Sequence, residues 1–197
     1  MKVAGLVLAA GGGSRIGGPK AGMIVGGRRL VDRAVHSCTA AGLSPVVVVL
    51  GAAWLTPMPP PKLPGGHAAQ IWLVENSEWA TGIASSLQAG LAALAADLEI
   101  DAVVVTLVDT PTVGVEHLTR IGSALRDGAT AAVATYDGNG RTPVGLNRQI
   151  WAEVAETVSG DQGARRWLGG HAHLVTNVEC ADLGSWTDID TPADLPG

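Results

Sequence analysis

Val7-Leu8-Ala9-Ala10-Gly11-Gly12-Gly13-Ser14-Arg15-Ile16-Gly17-Gly18-Pro19-Lys20 continues the apolar run that begins at Val3. The junction reads as a buried strand that opens into a glycine turn, followed by two cations. A Cβ at Gly11, Gly12 or Gly13 would keep the backbone from closing around a phosphate chain, whereas glycine lets successive N–H groups point at the anion. Arg15 can fork onto phosphate oxygens, and Lys20 supplies a compact, mobile charge. The spacing is neither that of a P-loop nor that of a dinucleotide fingerprint. The expectation is an α/β fold with nucleotide chemistry at the end of its first strand, and with Leu8 to Ser14, Arg15 and Lys20 around the phosphates.

The rest of the chain alternates in the same sense. Strands are expected at Lys2 to Leu8, Pro45 to Leu50, Ala69 to Val74, Ala102 to Leu107, Thr130 to Tyr136 and His173 to Val178. Helices are expected at Arg29 to Ala41, Ile83 to Asp97, Val115 to Arg126 and Arg148 to Val158, with a short one after Asp161. Such alternation marks a three-layer sheet with helices on both faces. Ala52 to His67 holds five of the eleven prolines and reads as an irregular surface loop. One domain over residues 1–197 suits this length, and 47% hydrophobic residues suffice for a sizeable core.

Charge and composition narrow the partners. A net charge of −5 argues against a nucleic-acid or anionic-membrane surface, so phosphate-binding cations must be local. Met1-Lys2 and the apolar residues after it imitate a secretory leader only faintly, and other apolar runs are strand-sized. The chain reads as untargeted and cytoplasmic. Cys38 and Cys180 form neither a disulfide framework nor a metal spacing; Cys38 belongs to the apolar stripe of Val31, Ala34 and Val35. His171 and His173 suit one face of a strand without a third ligand beside them.

Four further stretches carry chemistry. The β-branched run Val103-Val104-Val105-Thr106-Leu107-Val108 ends on Asp109, which puts a carboxylate at the carboxyl edge of a sheet, where open α/β folds bind ligands. Asp109 is a candidate Mg²⁺ ligand and, taken alone, equally a turn aspartate before Pro111. In Thr187-Asp188-Ile189-Asp190-Thr191-Pro192-Ala193-Asp194, strand-like alternation puts Asp188 and Asp190 on one side. Asn76-Ser77-Glu78-Trp79-Ala80-Thr81-Gly82-Ile83-Ala84-Ser85-Ser86 sets Gly82 for close approach of a ligand, and offers the hydroxyls of Ser85 and Ser86 near a helix start to an anion or as caps. Gly138-Asn139-Gly140-Arg141-Thr142-Pro143-Val144 and Gly160-Asp161-Gln162-Gly163-Ala164-Arg165 bring Arg141 and Arg165 as candidates for an acceptor phosphate.

Together these stretches resemble the MobA-like nucleotidyltransferases over residues 3 to 195. The first run is similar to their Leu-Ala-Ala-Gly-x-x-x-Arg-x-Gly-x-x-Lys signature, and Trp79 to Gly90 resembles a stretch distinctive of the molybdenum cofactor cytidylyltransferases. The resemblance implies a Rossmann-like α/β/α fold of the nucleotide-diphosphosugar transferase type, mostly parallel with one antiparallel strand. It implies Asn76 and Gly82 at the nucleotide, Ser85 and Ser86 at the acceptor, and Asp190 completing a Mg²⁺ site with Asp109. The implied reaction transfers CMP from CTP to the phosphate of molybdopterin and releases pyrophosphate, with a molybdoenzyme or its maturation factor as protein partner. Leu8-Ala9-Ala10-Gly11 is similar to the cytidylyl branch, whereas the guanylyl branch carries glycine at position 10. Arg141-Thr142 stands where close relatives carry Gly-His, and Ala193 replaces a glutamate. A GTP-dependent enzyme, another small phosphorylated acceptor and a non-catalytic nucleotide or molybdopterin carrier are the alternatives.

Overall fold

The computed structural model describes residues 1–58, 69–184 and 186–194. Its strands are β1 (Lys2–Leu8), β2 (Ile24–Val25), β3 (Arg28–Arg29), β4 (Val46–Leu50), β5 (Ile71–Glu75), β6 (Ile100–Leu107), β7 (Ala131–Tyr136), β8 (Asn139–Asn147) and β9 (Val175–Glu179). Its α-helices are α1 (Leu30–Ala40), α2 (Ile83–Ala95), α3 (Val115–Arg126), α4 (Trp151–Thr157) and α5 (Arg165–Gly170). Seven strands form one sheet in the order β5-β4-β1-β6-β8-β7-β9, while β2 and β3 pair as a separate small hairpin. β8 runs antiparallel to both neighbours, and every other pairing in the large sheet is parallel. The fold is the mostly parallel, Rossmann-like three-layer α/β/α arrangement.

Alternation along β1 builds two cores at once. Val3 and Val7 face one side with the buried residues of α1 and α3, whereas Ala4, Leu6 and Leu8 face the other with those of α2, α4 and α5. The same split divides Val46, Val48 and Leu50 from Val47 and Val49 in β4. All five residues of β4 are buried, which is why it reads as an unbroken apolar run. Helical crossovers between parallel strands return the chain so that β1, β4 and β6 end on one edge of the sheet.

Most expected elements are present within a residue or two, and α3 has the expected bounds. The helix expected from Arg148 to Val158 divides into a 3₁₀ turn, Arg148–Ile150, followed by α4. His171 caps α5 and stacks on Trp167 at 4.4 Å, and His173 lies in a 3₁₀ turn, so the pair does not share a strand. β8 was absent from the expected strands: Gly140, Pro143 and Gly145 are poor strand formers and dilute its pattern. The turn before it has positive φ at both Asp137 and Gly138, the geometry a two-residue hairpin prefers. Of the expected loop at 52–67, residues 59–67 lie outside the described residues, and 52–58 carry no regular secondary structure. No described helix is long and apolar enough to cross a membrane.

Candidate active site

Two contiguous cavities open along the carboxyl edge of the sheet. The first, about 340 Å³, is bounded by the loop Gly11 to Arg15, by Lys20, Trp79, Ser86 and the carboxylates Asp109 and Asp190. Leu8, Ala10 and Gly82 also line it. The loop is held by Gly13, whose carbonyl accepts from Ile16 N at 3.0 Å and Gly18 N at 3.1 Å. Gly13 has φ +59, and a Cβ there would collide with the Gly18 carbonyl oxygen, so this position requires glycine. The backbone N–H groups of Gly11 to Arg15 have no acceptor among the described residues. A run of free donors at a strand end is a cradle for an anion.

Across the cavity, Lys20 Nζ lies 2.8 Å from Asp109 Oδ2 and 2.7 Å from Asp190 Oδ1. Arg15 reaches Asp190 Oδ2 at only 3.8 Å and leaves its side chain 78% exposed. Partial burial disfavours the Lys20 ammonium, but the hydrogen bonds it donates to Asp109 and Asp190 outweigh that and hold its pKa above the ordinary lysine value. Asp109 follows β6 directly, and its carbonyl accepts from Ile189 N at 2.9 Å, which ties the loop of Asp190 to the sheet edge. Ile189 is buried as the anchor of that loop. The Asp194 carboxylate accepts from the backbone N–H groups of Asp190 and Thr191, so it is a local cap and not merely a solvated charge.

The donor set fits a hard divalent cation. Asp109 Oδ1 is buried and has no hydrogen-bond partner among the described residues, and carboxylate oxygens are the ligands Mg²⁺ and Mn²⁺ favour. Among the described residues no group of three or more His, Cys, Asp or Glu converges on such a site. Substrate phosphate and water would have to complete the shell, as is usual for Mg²⁺.

Several expected contacts fall elsewhere. Ala9 is buried against the α1–α3 side because alternation turns it to the opposite face from Leu8 and Ala10. Asn76, 5% exposed, donates to Ser85 Oγ at 2.9 Å and Ser86 Oγ at 3.0 Å. Its carboxamide thus braces the start of α2, and it does not line the cavity. Ser85 gives its hydroxyl to the carbonyls of Glu78 and Gly82 and lines neither cavity. Gly82 has φ +120, and a Cβ on it would sit 2.5 Å from the Gly160 carbonyl. Gly82 lines the first cavity, but its missing Cβ makes room for the Gly160-Asp161 loop.

The second cavity, about 620 Å³, shares Leu8, Ile83, Leu107 and Asp161 with the first. Arg141 and Arg165 line it, as do Asp188 and an apolar floor that includes Val133 and Val144. The Arg141 guanidinium stacks over the Trp186 ring at 5.1 Å, and Trp186 Nε1 donates to Thr142 Oγ1 at 3.3 Å. Trp186 and the wall formed by Trp79 were missed as site residues. A tryptophan in a loop is a signal of a contact surface, but nothing in the sequence says which loops meet. Cys38 is fully buried and its thiol is pushed up to about 12 by burial; Cys180 is buried too.

Comparison with known proteins agrees with this fold. The profile of the MobA-like NTP transferase domain matches residues 5–175. Nicotine blue oxidoreductase of Paenarthrobacter nicotinovorans is 34% identical over 96% of this chain and 92% of its own length. The crystal structure of the Mycobacterium tuberculosis Rv0371c homologue from Mycobacterium sp. strain JC1 superposes with a TM-score of 0.75 at 25% identity, covering 98% and 94% of the two chains. Rv0371c of Mycobacterium tuberculosis H37Rv in complex with manganese gives 0.72 at 21% identity, covering 98% and 96%. With the glycine loop, Lys20 and two carboxylates on the sheet edge of a nucleotidyltransferase fold, this chain belongs to the MobA-like NTP transferase family.

Proposed function

We propose that the chain transfers CMP from CTP to the phosphate of molybdopterin and releases pyrophosphate. The observation that carries this reading is the Lys20 ammonium clasped by Asp109 and Asp190, in one cavity with the loop Gly11 to Arg15, whose five backbone N–H groups have no acceptor among the described residues. The Gly11 to Arg15 loop binds the triphosphate through those donors. Lys20 and Arg15 neutralise the departing pyrophosphate, and Asp109 and Asp190 hold a divalent ion. Bound Mg²⁺ would supply charge neutralisation at the α-phosphate and at the attacking oxygen. An acceptor phosphate oxygen attacks the α-phosphorus; the bond from that phosphorus to the bridging oxygen breaks, and pyrophosphate leaves with the electron pair. Such chemistry asks the protein for alignment and electrostatic stabilisation, with no nucleophilic side chain.

The second cavity supports an acceptor with an apolar body and an anionic group, for which Arg141 and Arg165 are the cationic partners. Ala10 borders the first cavity; on this reading its methyl denies guanine the space that glycine would leave, which selects by exclusion. Competition of CTP and GTP at equal concentration with Mg²⁺ and molybdopterin tests this. Cytosine dinucleotide should predominate, and Ala10→Gly should relax the preference; predominant guanine dinucleotide would overturn it.

A second reading comes from the 34% identical relative, whose name is that of an oxidoreductase of nicotine blue. A reductase built on this chain would draw electrons from a bound donor, because both cysteines are buried in the core. Oxidation of NADH or NADPH by a blue dye, without pyrophosphate release, would favour that reading.

A further inference from the structure

Lys20 occupies the place where a cation between Asp109 and Asp190 would sit, which raises the question of what the two carboxylates do before a nucleotide arrives. Two carboxylates meeting at one point repel unless a positive charge lies between them. Here that charge belongs to the chain itself, on a side chain only 14% exposed, with both carboxylates within 2.8 Å of one nitrogen. We infer that Lys20 is a placeholder cation, which keeps a divalent ion out of the Asp109–Asp190 site until nucleotide phosphate draws the ammonium away. This inference rests on the reading of the two carboxylates as the metal site.

Three observations support it. Lysine is a compact charge on a flexible four-carbon stem, able to leave without moving the backbone. Its backbone lies in the short turn Lys20–Gly22, at the end of the loop that lines the same cavity, so a phosphate held by that loop would share the cavity with the ammonium. The clasp is also incomplete. Asp109 Oδ1 stays buried without a partner among the described residues, whereas a divalent ion with phosphate oxygens in its shell could engage it. A triphosphate therefore acts twice, giving Lys20 a new partner and giving the ion the ligands the protein lacks. Metal and nucleotide then bind with positive coupling, each raising the affinity of the other by the same factor.

The test uses Mn²⁺ binding, read by electron paramagnetic resonance and calorimetry, with and without a non-hydrolysable CTP analogue. Wild-type protein should bind Mn²⁺ weakly alone and at least about tenfold more tightly with the analogue. Lys20→Met should bind Mn²⁺ alone about tenfold or more tightly than wild type does, and should lose the share of the coupling that comes from drawing the ammonium away. Lys20→Arg, which keeps the charge, should stay close to wild type. Equal affinity of Lys20→Met and wild type for Mn²⁺ alone, with binding lost in Asp109→Asn, would overturn the placeholder and leave the metal site standing. Unchanged Mn²⁺ binding in both Asp109→Asn and Asp190→Asn would remove the metal site and the inference together. Should Lys20→Met fail to fold, the ¹³C resonance of Lys20 Cε in the wild-type protein decides. It should hold its position with Mg²⁺ alone and shift when the nucleotide analogue is added; movement with Mg²⁺ alone would contradict the inference.

Discussion

Asp109 and Asp190 are joined through Lys20, and each of the three can be removed singly. Both carboxylates stand at the strand edge with side chains 22% and 45% exposed, outside either core. Asp109→Ala and Asp190→Ala should each lower turnover by on the order of 10²- to 10³-fold or more while circular dichroism and the melting temperature stay near wild type. Near-normal turnover in either would remove that residue from the site. Lys20→Ala should cost about 10²- to 10³-fold in rate, the scale seen when one preorganised charge-stabilising donor is lost; steady-state pyrophosphate release measures it. These three residues were legible because each stands in a contiguous motif: Lys20 closes the glycine run after β1, Asp109 comes just after β6, and Asp190 lies in the segment 187–194. Asn76 and Ser85 were misplaced for a physical reason. A polar side chain near a helix start satisfies a backbone group as readily as a ligand, and here both bond within the protein.

At the scale of elements, the approach of the Gly160-Asp161 loop to the start of α2 sets the wall between the cavities. Gly82 lets that approach happen, with φ +120 and the Gly160 carbonyl 2.5 Å from where a Cβ would be. Gly82→Ala should destabilise the protein by roughly 2–3 kcal/mol, a strained backbone plus an overpacked contact. It should also raise KM for the acceptor, because Asp161 moves with its loop. An unchanged denaturation midpoint would show that the loop gives way freely. The strands with unbroken β-branched runs, β4 and β6, were plain in the sequence since burial on both faces leaves no other residue choice. β8 was not, although Asp137-Gly138 is a favoured hairpin pair, because two glycines and a proline break its pattern. The meeting of Trp186 with Arg141 was beyond reach, since it joins a loop residue to β8, which only the finished fold brings together.

For the molecule as a whole, acid should be the destabilising direction. Asp97 is held below the ordinary carboxylate range by the backbone N–H of Glu99 and by Lys2, and Asp182 by Arg120. Glu179 is lowered by the backbone N–H of Ala181, and Asp194 by the Thr191 hydroxyl. A carboxyl with a depressed folded pKa contributes stability that is present above its unfolded value near 4 and is lost as pH falls through the folded value. His117, lowered by burial, adds in the same direction, since its neutral form is favoured in the fold and protonation below about pH 6.5 opposes it. Urea midpoints should therefore begin to fall below about pH 6.5 through His117 and fall more steeply below about pH 4 through the carboxylates, and Asp182→Asn should flatten the steeper limb; a midpoint that rises on acidification would contradict these assignments. The account as a whole turns on whether the α-phosphate of a nucleotide leaves the triphosphate and joins an acceptor in this cleft. The direct measurement incubates α-³²P-labelled CTP with Mg²⁺, molybdopterin and the protein, and follows both label and pyrophosphate. The account predicts label in a dinucleotide product with one pyrophosphate released for each, and neither with Asp109→Ala. Intact CTP beside a dye reduced at the expense of NADH or NADPH would contradict it.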